Sequence, residues 1–340
     1  VKRTTSLFIT FFLVFFSATV AASSNDEADY RAHPAFADFV ERMQAEHDFS
    51  AAELEKLFTG VTRQQKILDA ISSPAEGKDW VDYRPIFITD ARIDAGVTFW
   101  NEHADLLARA ERKFGVDREI IVAIIGVETF YGRHTGTWRV LDALATLGFD
   151  YPPRSSFFTS QLEHFMLLVR EEDIDVREVT GSYAGAMGGG QFIPSSYRQY
   201  AVDFDGDGRR DLWQSWPDII GSVANYLSRF GWKHRDVIAI PAAASNGADL
   251  PGEQGMIQVS AAELRKRGLV FSRDITADTT LKLVTLQHEN EVSYWLGLNN
   301  FGVINRYNRS PLYAMAVIDL AREIVEQRAE LQSEQRDNKQ

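Results

Sequence analysis

The sequence predicts a mainly α protein of the α+β class, in which helices are interrupted once, late in the chain, by a small β-containing insertion. Three observations carry this. Apolar residues recur at helical spacing from Pro34 to about Gly115 and again over residues 157–169 and 219–230, and residues 120–127 form a continuous apolar run that reads as a buried helix. Short β-like runs, residues 237–240 and 281–286, are confined to one stretch. The 340 residues, 45% hydrophobic and 25% charged, have an ordinary globular composition and length enough for two or three domains.

Each element has its own signal. Lys2 and Arg3 precede an apolar run over residues 7–20, followed by Ala21, Ala22 and Ser23. Such a run is too short for a bilayer, which takes about 20 helical residues, and the order of basic start, apolar core and small residues reads as a cleaved secretory signal over residues 1–22, with a retained membrane anchor as the alternative. Residues 23–115 form a helical region. In it Phe36, Phe39, Val40 and Met43 share a face, Ser50 and Glu53 make a capping box, and Gly60 can close the helix that follows. One further helix carries Val97, Trp100, Leu106, Leu107 and Ala110, with Gly115 as its stop. Residues 116–234 are the next unit: Asp117 caps an apolar helix ending near Gly132, and helices follow over 157–169 and 219–230, the last stopped by Gly231. Asp142 and Asp150 read as lying in loop-like polar stretches. Residues 235–290 are the small α+β insertion, with a capped helix from Ser260 and Glu263 to Gly268. Residues 291–328 return to the helical body, where Ser310 as N-cap and Pro311 at N1 open a final helix. The polar residues 329–340 have little to bury and read as a disordered tail.

Composition excludes several functions. With 48 acidic against 36 basic residues the net charge is −12, which argues against a nucleic-acid partner, because phosphate neutralisation needs a surplus of Lys and Arg. Zero cysteine excludes disulfides, thiolate metal sites, cysteine nucleophiles and a thioether-linked lipid anchor. No G-x-S-x-G elbow, H-E-x-x-H, Walker lysine or dinucleotide glycine fingerprint is present, so no organic cofactor is expected. Carboxylate chemistry, amide recognition and aromatic stacking remain.

Glu128 stands out among the carboxylates. It ends a helix that is apolar on every face, where burial and the negative end of the helix dipole both penalise its charged form. A Glu held protonated near neutral pH is a general acid of the kind glycosidic cleavage needs; a carboxylate satisfied by a buried Arg or by backbone amides fits the same pattern. The second constellation is the glycine-rich stretch of residues 181–197. Its glycines allow close backbone approach, Gln191 offers a donor and an acceptor, and Tyr183, Phe192 and Tyr197 add flat faces suited to sugar rings. By composition alone it is equally a structural turn.

Residues 203–214 follow the D-x-D-x-D-G pattern of an EF-hand loop, with Gly208 at the sharp-turn position. Asp203, Asp205 and Asp207 would bind Ca2+ through carboxylates, Arg209 through its carbonyl, and Asp211 directly or through water. Gln214 stands where a bidentate Glu is usual, so affinity would be modest, about 10⁻⁴–10⁻³ M, and the ion would be structural. A plain Asp/Gly turn without an ion is the alternative.

The blocks GVETFYGR, LDALATLGFDYP, GSYAGAMGGGQFIPSSY, DFDGDG, DIIGSVANYL and RYNRSPLYAMAV occur in that order between about Trp80 and Leu320. Together they resemble the membrane-bound lytic murein transglycosylase B family and its soluble relatives. The resemblance implies a lysozyme-like catalytic core between an α domain and a small β-containing domain. It also implies cleavage of the β-1,4 bond between N-acetylmuramic acid and N-acetylglucosamine of peptidoglycan without water, leaving 1,6-anhydro ends, with Glu128 as the sole acid/base. By motif, Ser182 and Gln191 match positions that contact the glycan or order the catalytic site, and Tyr83, Tyr307, Asn308 and Tyr313 match positions lining the sugar groove. Where the family often has two arginines after Tyr-Pro, Pro153 replaces the first and Arg154 remains. The lipobox cysteine of the membrane-bound members is missing. The expectation is a soluble periplasmic monomer that acts on glycan strands, with cell-wall synthases as further partners. Two rivals stand beside it: a hydrolytic muramidase, which would need a second, water-activating carboxylate, and a non-catalytic calcium-dependent wall-binding protein.

Overall fold

The computed structural model describes residues 29–72, 77–271 and 275–337; the secretory signal read in residues 1–22 lies outside them. Three helices come first: α1 (Pro34–His47), α2 (Ala51–Leu57) and α3 (Gln65–Ile71). The capping box of α2 is formed as expected: Glu53 N donates to Ser50 Oγ (3.2 Å) and Ser50 N to the Glu53 carboxylate (3.4 Å). Then follow α4 (Trp80–Phe87), α5 (Asp90–Glu102), α6 (Ala104–Phe114) and α7 (Arg118–Thr129). The single helix expected across residues 97–110 is therefore two, broken at His103, whose ring lies 4.5 Å from that of Phe99. Gly115 closes α6 in the left-handed region, φ 68°.

Next come β1 (Trp138–Arg139), α8 (Val140–Asp150), α9 (Ser155–Glu171), β2 (Thr180–Gly181), α10 (Pro194–Tyr200) and α11 (Trp216–Arg229). Helix α8 corrects the reading of Asp142 and Asp150 as loop residues. Its run from Val140 to Gly148 is buried apart from half-buried Asp142, and its two acids are engaged, one by a neighbour three residues back and the other by a residue far along the chain. Arg139 pairs with Asp142 at 2.6 Å, and the Tyr30 hydroxyl donates to Asp150 at 2.5 Å across 120 residues. The chain ends with β3 (Ala239–Ala244), β4 (Gly255–Ser260), α12 (Ala261–Lys266), β5 (Leu269–Val270), β6 (Thr280–Gln287), β7 (Val292–Gly297), α13 (Asn299–Tyr307) and α14 (Pro311–Asp337). Residues 329–337 are thus helical, not a disordered tail. They are exposed, but Ala, Glu, Leu, Gln and Arg are strong helix formers, and extending an established helix needs no new nucleus.

The described chain divides into two compact units. The first comprises residues 77–127 and 226–337. Its antiparallel sheet runs in the order β4-β6-β7-β3-β5, with registers such as Leu283↔Leu296 and Met256↔Val284. Helix α12 covers it, and Leu264, Leu269, Leu281, Leu283 and Leu296 form the core between. This sheet is the β-containing insertion read from residues 237–240 and 281–286, and its last strand runs on to Gly297. Helix α14 packs on α4, α5 and α13. The second unit comprises residues 29–72 and 128–225, with α8 and α9 as its central pair. Phe36, Phe39, Phe58 and Phe149 meet in an aromatic cluster with ring centroids 4.7–6.5 Å apart, which seats α1 and α2 on α8. Among the described residues, no helix is long and apolar enough to cross a membrane.

Candidate active site

Glu128 lies in the last turn of α7 and is 4% exposed. The chain leaves that turn through two consecutive non-glycine residues in the left-handed region, Phe130 (φ 50°) and Tyr131 (φ 57°). That conformation costs about 1–2 kcal/mol per residue. It is held by bonds to Thr129: His134 N donates to its carbonyl (2.9 Å) and Gly132 N to its hydroxyl (3.0 Å). The Thr129 hydroxyl in turn donates to Gly189 O at 3.0 Å, which joins the residue after Glu128 to the glycine-rich stretch.

That stretch is a set of short antiparallel returns. Gly181 bridges to Trp138 and Met187, and Met187 bridges to Phe192. The tight packing explains the glycines. At Gly188 (φ 69°) a Cβ would fall 2.2 Å from Leu212 O, and the next residue, Gly189, donates its N–H to that same oxygen at 2.7 Å. Ser182, 3% exposed, accepts from Ala184 N (3.2 Å) and Ala186 N (3.0 Å), so its hydroxyl shapes the turn. Gln191 sits at φ 51° and donates from Nε2 to Gly188 O (2.8 Å) and Thr135 O (3.1 Å). Its Oε1 is buried without a hydrogen-bond partner among the described residues. Phe192 is buried, and Arg154 lies over the rings of Phe157 (4.4 Å) and Phe158 (5.2 Å).

The acidic loop belongs to the same unit. Asp203 accepts from Gly206 N (2.6 Å) and Gly208 N (2.9 Å), and these backbone bonds, Gly208 foremost, hold its carboxyl below the usual range. Asp207 accepts from Arg209 N, and Asp211 from Trp213 N and Gln214 N. Carboxylate oxygens of Asp203 and Asp205 converge with one of Asp218, all within 4.8 Å of one another. Asp218 is a residue that sequence reasoning missed. It lies beyond the twelve-residue loop pattern, in the first turn of α11, and the acid at a helix start was its one available signal. Asp218 is 1% exposed and accepts from Phe204 N (2.7 Å) and Asp211 N (2.8 Å). Burial pushes its pKa up despite those two bonds, and the charges of Asp205 and Asp203 push the same way. An all-oxygen set with mutual repulsion suits a hard divalent cation.

Four further residues singled out in the sequence lie in the first unit. Tyr307 ends α13, its ring parallel to that of Tyr313 (6.5 Å, 6°) and edge-on to that of Tyr226 (4.8 Å). Tyr226 was not singled out; its hydroxyl donates to Arg306 O at 2.8 Å and fixes the end of α13. Asn308 caps α13 with its Oδ1 buried and without a hydrogen-bond partner among the described residues. Tyr83 packs instead with Trp80 and Phe87. Tyr83 and Tyr313 are buried and Tyr307 half-buried, so of these three only Tyr307 presents appreciable ring surface.

Comparisons with known proteins agree in one direction. Residues 31–322 match the family described as "Transglycosylase SLT domain". The chain is 41% identical over 308 residues to membrane-bound lytic murein transglycosylase B of Escherichia coli, covering 87% of this chain and 84% of that protein. Catenated lytic transglycosylase SltB1 of Pseudomonas aeruginosa is 50% identical, with a TM-score of 0.80 over 88% of this chain and all of that one. Lytic transglycosylase Slt35 of Escherichia coli, solved in complex with calcium, is 41% identical, with a TM-score of 0.81 over 89% of this chain and 96% of that one.

Proposed function

The chain belongs to the transglycosylase SLT domain family, and on that premise we propose how its residues carry out the reaction of a peptidoglycan lytic transglycosylase. The observation that carries the reading is Glu128, buried at the end of an apolar helix and one residue from the bond that ties that helix to the glycine-rich stretch. Glu128 protonates the glycosidic oxygen as the C1–O4 bond breaks, so the departing N-acetylglucosamine leaves with a hydroxyl. The substrate's own acetamido group stabilises the oxocarbenium-like C1. The Glu128 carboxylate then takes the proton of the muramyl O6 as O6 bonds to C1, which closes the 1,6-anhydro ring. The proton lent in the first step is regained in the second, no water enters, and one carboxylate suffices where glycoside hydrolases usually need two. Asp142 and Asp150 are engaged by Arg139 and Tyr30, which fits that economy.

Gln191 offers Oε1 to a glycan hydroxyl or acetamido N–H, and Ser182 keeps the turn beside it closed. Arg154 in the second unit and Tyr307 in the first are further candidate sugar contacts, whereas Phe192, Tyr83, Tyr313 and Asn308 are buried and would support their own surroundings rather than offer surface to the glycan. The deciding measurement is mass spectrometry of muropeptides released from purified sacculi. Anhydro ends are expected throughout; reducing ends would establish hydrolysis and overturn the reading.

The acidic loop is a structural calcium site in this proposal. Asp203 and Asp205 supply carboxylate oxygens, Asp218 faces the same point, and Asp207, Arg209, Asp211 and Gln214 complete the loop. Bound there, the ion would offset the repulsion among the acids and fix the chain ahead of α11. Chelation is therefore expected to lower the melting temperature before it lowers activity per folded molecule. An unchanged melting curve in EDTA, with no calcium by elemental analysis, would refute the assignment. The enzyme acts in the periplasm as a soluble monomer on glycan strands, with cell-wall synthases as further partners; fractionation and sedimentation of the expressed protein test this.

A further inference from the structure

We propose that Thr129 is a positioning residue for the reaction: its hydroxyl fixes Glu128 relative to the Gln191 amide by tying the end of α7 to the Gly188-Gly189 peptides. The inference rests on Glu128 being the acid/base. Thr129 is fully buried, and its hydroxyl is used in both senses, donating to Gly189 O and accepting from Gly132 N, each at 3.0 Å. A threonine within a helix commonly turns its hydroxyl back to the carbonyl four residues earlier. This hydroxyl also bonds a carbonyl 60 residues along the chain.

The acceptor explains the consequence. Gly189 O receives Thr129, while the preceding carbonyl, Gly188 O, receives Gln191 Nε2 at 2.8 Å. Two side chains from distant parts of the sequence thus hang on successive peptide groups. With each peptide planar, only the φ and ψ of Gly189 lie between the two carbonyls. Gly189 N is itself anchored on Leu212 O, so this pair of peptides cannot drift. The strained exit through Phe130 and Tyr131 needs the other half of the bond. Without an acceptor for Gly132 N, the turn can relax and carry the end of α7, with Glu128, away from the glycine-rich stretch.

The test compares Thr129→Val, Thr129→Ser and wild type on soluble glycan strands, with melting curves beside the kinetics. Thr129→Val keeps the shape and deletes both hydrogen bonds. It is expected to lower kcat by about a hundredfold, the cost of a displacement near 1 Å at the reacting group, while KM changes little because the groove contacts remain. Thr129→Ser keeps the hydroxyl and is expected to restore kcat even where the lost methyl lowers the melting temperature. Thr129→Ala, which asks for no extra space, is expected to show the same split and serves if the valine variant does not fold. Wild-type kcat per folded molecule in Thr129→Val or Thr129→Ala, or a serine variant as slow as the valine one, overturns the proposal. Glu128→Gln assayed in parallel separates the two failures: an active Glu128→Gln removes the acid/base reading itself, whereas an inactive one beside a fully active Thr129→Val removes only the role of Thr129.

Discussion

Glu128→Gln is expected to stop release of anhydromuropeptides from sacculi while the protein stays folded. Gln matches Glu in shape and can still hydrogen-bond in a site that is 4% exposed, so packing at the end of α7 is preserved. Its amide cannot lend a proton to the glycosidic oxygen and cannot take one from O6. General acid or base assistance is worth about 10²–10⁴-fold in a single step. Here one residue serves both steps in sequence, so the loss is expected at or beyond the upper end of that range. Thermal melting and quantitative muropeptide analysis on the same preparation check the two halves of the statement. Turnover near the wild-type rate in a folded Glu128→Gln protein would take Glu128 out of the centre of the mechanism.

The parts of this protein that were legible in its sequence are those set by neighbours along the chain. Ser50 with Glu53, Gly115 after α6, and Ser260 with Glu263 act within a few residues, and each forms as its local chemistry dictates. The acid at the end of an apolar helix was legible for the same reason, since α7 announces its own burial. What escaped depends on partners far along the chain. Asp150 looked like a loop acid because Tyr30, which holds it, is 120 residues away. Asp218 falls outside the loop pattern because twelve residues end before α11 begins, although its carboxylate binds two loop amides. Thr129 carried no signal at all. A threonine beside a catalytic candidate is unremarkable until the carbonyl of Gly189 appears at the end of its hydroxyl. Fold class therefore follows from periodicity and caps, whereas the fine setting of the site follows from contacts between segments.

Gly188→Ala is expected to destabilise the second unit by about 2–5 kcal/mol. Two costs add at this position. A non-glycine residue at φ 69° pays about 1–2 kcal/mol for the left-handed conformation. A Cβ placed 2.2 Å from Leu212 O then forces one backbone off the other, and overpacking of this kind costs about 1–3 kcal/mol. Leu212 cannot simply swing aside, because its carbonyl oxygen accepts from Gly189 N at 2.7 Å and belongs to the chain rather than to a side-chain end. Gly60→Ala is the control: φ is 73° and nothing lies within 4 Å of the added methyl, so only the first cost applies. Urea unfolding of both variants separates the terms, and equal losses would show that the approach of Leu212 imposes no constraint. The same clash has a second outcome in activity. Moving Gly188 moves the carbonyl that holds Gln191 Nε2 and the peptide that holds Thr129. The fraction of Gly188→Ala that still folds is therefore expected to be slow as well as unstable, whereas Gly60→Ala keeps its kcat, because its turn touches none of these bonds.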